Sequence, residues 1–174
     1  MTQVGLGIFI RLIVWLRFTV FVILSILYVV YPSVAESILR LNITGQSSGT
    51  IDILLAEKSA PNHVKRLILL AREKKYDGVA FHRVIEGFMA QTGDIKFGNV
   101  NNFDSSLVGM GGSDYPMLNA EFTDNPFLRG TVGMARSRDP NSANSQFFIM
   151  FERAPHLDGK YTIVGRVVDG IDSL

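Results

Sequence analysis

The residues best suited to chemistry lie close together in Phe81-His82-Arg83-Val84-Ile85-Glu86-Gly87-Phe88-Met89-Ala90-Gln91-Thr92-Gly93-Asp94. They are a permanent cation, Arg83, an aromatic and a thioether, Phe88 and Met89, and a neutral amide, Gln91. No nucleophile–base pair accompanies them, so the stretch reads as a surface that donates hydrogen bonds beside an apolar patch. A guanidinium suits that task because its planar fork of donors is preorganised. His82, next to an aromatic on a strand, reads as a structural hydrogen-bonder rather than a general base. Asp77 and Asp94 fit turns better than acid–base catalysis. The three histidines lack metal-ligand spacing, and the absence of cysteine excludes disulfides and thiolate metal sites, so no metal or cofactor is expected.

The elements that must position these groups follow from periodicity. Phe81, Val84, Phe88 and Met89 alternate with polar residues, and Gly87 and Gly93 punctuate, which predicts two short strands joined by a tight bend. Upstream, Leu39, Leu41 and Ile43 alternate with Arg40, Asn42 and Thr44, and Ile51, Ile53 and Leu55 resume the pattern after the turn Gly45 to Gly49, a hairpin. Pro61 suits the first turn of a helix. Val64, Leu67, Ile68 and Ala71 then form its apolar stripe, with Lys65, Arg66, Arg72, Glu73 and Lys74 as polar partners and His63 on the exposed side. Asp77-Gly78 is a turn into the central stretch. Residues 95–117, rich in Gly, Asn and Ser, read as a long surface loop. Three further strands are expected at Thr131 to Ala135, Ser145 to Phe151 and Tyr161 to Val168. Of Phe147 and Phe148, alternation sends one to the core and the other to the opposite face.

The length of 174 residues suggests a single domain. Removing Arg11 and Arg17 from the formal charge of +1 leaves residues 36–174 at −1, which argues against nucleic acid as the main partner. The start of the chain is different in kind. From Phe18 to Tyr31 nothing is charged, a run about 20 Å long as a helix. Pro32 follows, and Ser33 and Ala35 place small residues at the −3 and −1 positions of a cleavage site. Arginines, then an apolar core, then small residues make residues 1–35 a signal peptide cut after Ala35. The alternative is an uncleaved anchor, with residues 8–31 as the sole membrane contact. Either reading exports residues 36–174, which points to the periplasm, free or anchored at the inner membrane.

FHRVIEGFMAQTGD resembles the FHRxIxGFMxQxGD signature of the cyclophilins, the peptidyl-prolyl cis–trans isomerases. Two further blocks follow in family order: Gly130-Thr131-Val132-Gly133-Met134-Ala135 with Asn144-Ser145-Gln146-Phe147-Phe148-Ile149, and His156-Leu157-Asp158-Gly159 with Tyr161 to Gly165. The resemblance runs from about Ser37 to Leu174. It implies a mainly β fold, a closed antiparallel eight-stranded barrel capped by helices, with a short strand at Asn119 to Phe122. It also implies a second capping helix and a last strand that the chain, ending at Leu174, does not contain, so a C-terminally truncated domain is expected.

For function, the resemblance implies catalysis of rotation about X–Pro bonds in proline-containing polypeptides, with Arg83 as the catalytic residue. Phe88, Met89, Phe148 and Leu157 would line the proline slot, with Tyr161 at its edge. Gln91, Gln146 and the backbone around Asn144 would hold substrate carbonyls, and Ala135 and Ser137 would flank the groove for the preceding residues. His156 stands where eukaryotic members often carry tryptophan, which implies weak cyclosporin binding. Met110 stands where the family's usual turn has threonine. The rival expectation is a proline-motif-binding chaperone or adaptor with little or no turnover.

Overall fold

Alternation of apolar residues builds the first hairpin. Strand β1 (Ile38–Ile43) pairs antiparallel with β2 (Gly49–Leu55), and Ile51, Ile53 and Leu55 of β2 are buried. The structure is a computed structural model, and it describes residues 36–174. The expected signal peptide or anchor, residues 1–35, lies outside the described residues.

Five more strands complete the sheet: β3 (Arg83–Ile85), β4 (Met89–Thr92), β5 (Thr131–Met134), β6 (Phe147–Met150) and β7 (Ile163–Asp169). Their spatial order is β1-β2-β7-β5-β6-β4-β3, with every neighbouring pair antiparallel. The sheet curls into a half-barrel of seven strands with β1 and β3 outermost, where the family resemblance implied eight strands and closure. Strand alternation divides its apolar residues between two sides. On one side Phe147, Ile149, Val132 and Met134 pack with Ile51, Ile53 and Leu67. On the other, Phe148 and Met150 pack with Met89, Phe127, Leu157 and Ile163.

The helix α1 (Pro61–Arg72) carries Pro61 in its first turn, as its sequence predicts, and has no side-chain cap of its own at Ala60. The cap comes from a distant loop. Glu121 accepts hydrogen bonds from the Asn62 and His63 backbone N–H groups at 3.2 and 3.1 Å, from Asn62 Nδ2 at 2.7 Å, and contacts His63 Nδ1 at 2.6 Å. These are donors that an α-helix leaves unpaired at its start, and an anion is favoured there. The same loop corrects two expectations. His63 and Arg66, expected on the solvent side, are buried. His63 lies against Glu121, while Arg66 donates to the Pro116 carbonyl at 2.9 Å and sits 5.0 Å from the centre of the Tyr115 ring. Periodicity alone reads both as solvated; Lys65 and Arg72 of the helix are indeed exposed, but His63 and Arg66 are covered by the 115–121 segment.

The expected strand at Asn119 to Phe122 does not form. Only an isolated bridge between Leu118 and Ala143 appears there. The reason is visible in the bonding: the Ala120 N–H goes to Asn141 Oδ1 and the Glu121 N–H to Thr162 Oγ1, so side chains take the place of a ladder. Residues 95–117 form the expected loop, outside the helices and named strands.

Burial raises the Glu121 carboxyl, but the hydrogen bonds from His63 and Asn62 outweigh it, and the net shift is below the ordinary glutamate range. A carboxyl depressed in the folded state stabilises above its unfolded pKa, and that contribution fades as pH falls through the folded value. Glu121→Gln is therefore expected to lower the unfolding free energy at pH 7 by about 1–3 kcal/mol. Urea melts at pH 7 and at about pH 3 check this: the gap between wild type and variant should narrow at the acid end.

Candidate active site

The register of four strands sets the site. Arg83 on β3 lies opposite Gln91 on β4, Gln91 opposite Phe148 on β6, and Phe148 opposite Gly133 on β5. The next row runs Ile85, Met89, Met150. Residues directly opposite one another project to the same side of a sheet. Arg83 and Gln91 thus share a face with Met89 and Phe148, and the core side is left to Ala90, Thr92, Phe147 and Ile149.

On that face the aromatic rings form a tight platform. Phe127 stacks on Phe148 with centroids 5.8 Å apart and planes at 21°, and Tyr161 stands edge-on to both at 6.5 and 5.7 Å. Such offset and edge-to-face contacts add to the burial energy of the rings. Met89 and Leu157 pack in the same cluster, flanked by Phe88, Ala135 and Tyr161. Phe88, at the β3–β4 bend, stacks on His156 at 5.8 Å. Gly133 permits the arrangement, since a Cβ there would lie 2.6 Å from Phe148 Cζ and 2.7 Å from Phe127 Cε1.

Beside the platform runs a line of amides. Arg83 Nη1 donates to Gln91 Oε1 at 3.3 Å, Gln91 Nε2 to Gln146 Oε1 at 2.9 Å, and Gln146 Nε2 to the carbonyls of Gly109 and Gly111 at 3.0 and 2.8 Å. Gln146 is buried and Arg83 is exposed, so the line runs from the protein outward. Its inner end is held by Asp94, which is fully buried. Oδ1 of Asp94 accepts the N–H groups of Lys96 and Phe97, and Oδ2 those of Gly109 and Gly111. Both ends of the 95–111 excursion are thereby tied to one carboxylate. A side chain at Gly111 would run into that carboxylate.

The structure gathers most of the sequence-predicted site: Arg83, Gln91 and Gln146 in the polar line, and Phe88, Met89, Ala135, Phe148, Leu157 and Tyr161 at the platform, with His156 on Phe88. The side chains of two further expected site residues hold loops. Asn144 Oδ1 accepts from the Ser113 N–H and hydroxyl, both at 2.7 Å, and its Nδ2 donates to the Tyr115 carbonyl, so this side chain fastens the long loop. Ser137 Oγ bonds Ser142 Oγ at 2.7 Å inside its own loop. His82 departs from the expected role of structural hydrogen-bonder. Its two ring nitrogens are buried without a hydrogen-bond partner among the described residues, and burial pulls its imidazole below the ordinary range. A neutral ring results, so the charge at the β3 side of the platform comes from Arg83 and not from its neighbour His82. Phe127, Gly133 and Asp94 were not assigned to the site from sequence. The Asp94 carboxylate was legible as a turn residue, but the second pair of N–H groups it gathers comes from more than a dozen residues downstream.

The antiparallel half-barrel and its arginine-flanked aromatic platform define a class of proteins, and comparison places the chain within it. The family model for cyclophilin type peptidyl-prolyl cis-trans isomerase/CLD matches residues 39–174, and the chain belongs to this family. A probable peptidyl-prolyl cis-trans isomerase of Brucella suis is 61% identical over 127 residues, which span 72% of this chain and 65% of the relative. A peptidyl-prolyl cis-trans isomerase of Synechococcus elongatus is 41% identical over 121 residues, 70% of this chain and 75% of that protein. Among solved structures, a cyclophilin-type isomerase of Cryptosporidium parvum, crystallised in the presence of the dipeptide Ala-Pro, superimposes with a TM-score of 0.62 at 29% identity over 72% of this chain and 76% of that one. A Hirschia baltica cyclophilin gives 0.59 at 30% identity over 71% and 62%.

Gly133→Ala tests the platform. The added methyl has no room, so the variant is expected to lose about 1–3 kcal/mol in urea denaturation. Near-ultraviolet circular dichroism should change with it, because the Phe127, Phe148 and Tyr161 rings must part.

Proposed function

We propose that the protein is a peptidyl-prolyl cis–trans isomerase acting on proline-containing polypeptides. The observation that carries this reading is the row that sets Arg83 beside Gln91 on the platform face of the sheet. An X–Pro amide rotates slowly because resonance stiffens its C–N bond, with a barrier of ~18–20 kcal/mol. Rotation makes and breaks no covalent bond. Catalysis requires only that the twisted amide be bound more tightly than either planar form. In the twisted form the nitrogen lone pair leaves conjugation with the carbonyl and becomes a hydrogen-bond acceptor. The proline ring lies on Phe148, Met89 and Leu157, and the Arg83 guanidinium donates to that nitrogen. Gln91 holds the guanidinium by accepting from Nη1, and Gln146 fixes Gln91 in turn. A donor fixed in advance pays no reorganisation when the bond twists, which is the most effective form of electrostatic catalysis.

The clients follow from the start of the chain. The signal-like layout of residues 1–35 supports export, and we infer that the substrates are proteins folding in the periplasm. His156 on the Phe88 ring supports weak cyclosporin binding.

A protease-coupled assay on an Ala-Pro peptide tests the activity. Arg83→Ala is expected to lower kcat/KM at least tenfold, about 1.4 kcal/mol of transition-state stabilisation, with far-ultraviolet circular dichroism unchanged. Normal turnover by the folded variant would overturn the mechanism. A wild-type protein that binds the peptide without accelerating its isomerisation would instead establish the binding-module reading.

A further inference from the structure

One end of the platform carries positive charge that the isomerisation does not use. Arg136 follows Ala135 directly, and its guanidinium lies over the Tyr161 ring, 4.4 Å from the centroid. Tyr161 in turn meets Phe148 edge-on. Every nitrogen of that guanidinium bonds a backbone carbonyl: Nε and Nη2 reach Lys160 at 3.2 and 2.8 Å, and Nη1 reaches Ser137 at 2.9 Å and Arg138 at 3.4 Å. These bonds fix the group in place and leave its charge unbalanced. Arg138 and Lys160, whose carbonyls it joins, are exposed. Lys160 Nζ donates to the His156 carbonyl, which continues the rim to the Phe88 stack.

Among the described residues no carboxylate pairs with Arg136, Arg138 or Lys160. Asp158, in the neighbouring turn, is matched by Arg153, and Asp139 Oδ1 accepts the Asn141 N–H within its own turn. This concentration of cations stands on a region, residues 36–174, whose formal charge is −1. It is therefore a local feature and not a consequence of a basic chain.

We infer that the rim formed by Arg136, Arg138 and Lys160 makes the groove selective for prolyl substrates that carry an acidic side chain near the proline. The inference rests on the isomerase reading and adds a preference to it. A carboxylate on a bound peptide meets three cations there, one of them immobilised on an aromatic face, and a lysine at the same place is repelled. Exposed charges interact weakly and are screened within about 8 Å at physiological salt. The expected discrimination is correspondingly modest, about threefold or more at low ionic strength.

The test uses the full chain and a set of single-proline peptides, all alanine around the proline, with Glu, Ala or Lys placed in turn at each of the two positions before and after it. The expected result is a kcat/KM for Glu over Lys of at least about threefold at one or more positions, falling toward unity as salt is raised. The triple substitution Arg136→Gln, Arg138→Gln and Lys160→Gln should bring that ratio to one at low salt. Arg138→Gln with Lys160→Gln, confined to exposed side chains, should reduce it and guards against misfolding of the triple variant. If Ala peptides turn over but no position distinguishes Glu from Lys, or Lys is preferred, the charge selectivity is wrong and the isomerase stands. If the Ala peptides are not isomerised at all, the isomerase reading itself fails.

Discussion

The site depends on strand register more than on any single bond. Arg83, Gln91, Phe148 and Gly133 form one row across β3, β4, β6 and β5. Side chains alternate with a period of two, so a slip of one residue in any pairing would send its members to the core side. The burial of Phe147 and Ile149 on one side and of Phe148 and Met150 on the other leaves little freedom to slip. The same hydrophobic division that folds the sheet therefore delivers a cation to the edge of an aromatic platform.

Around that row the protein uses buried and half-buried polar groups as fasteners. Asp94 gathers four N–H groups, Asn144 holds Ser113 and Tyr115, and Glu121 caps α1 from a loop far along the chain. Each group is satisfied by backbone donors or acceptors, which is how a polar group is kept inside without a large cost. Together they shape long irregular segments, several of whose apolar residues, such as Val100, Met110 and Met117, stay exposed rather than packing on the sheet. Gln146 joins this framework to the working face, because its amide touches both the fastened loop and Gln91. The Arg83 guanidinium, on an exposed strand, is linked to this framework through Gln91.

Much of this was legible in the sequence. The β1–β2 hairpin, the start of α1 at Pro61 and the bend between Arg83 and Gln91 follow from periodicity and turn residues, and the three motif blocks identify the family. The partition of Phe147 and Phe148 was readable as an alternation, although only the motif said which ring faced the groove. What stayed hidden is long-range polar pairing. His63 and Arg66 sit on a helix stripe that reads as solvated, and nothing local announces that Glu121 and Pro116 will cover it. Phe127 has no periodic context, yet it completes the ring stack. Asn119 to Phe122 matches a strand by resemblance, but Asn141 and Thr162 capture its N–H groups.

The central claim is that Arg83 acts on the twisted amide and not merely on the bound peptide. Exchange spectroscopy by nuclear magnetic resonance on an Ala-Pro peptide, comparing wild type with Arg83→Lys, separates the two. Lysine keeps the charge but lacks the planar fork. The account predicts peptide affinity close to wild type and a cis–trans exchange rate on the enzyme at least about tenfold slower. Equal exchange rates in the two proteins would contradict it.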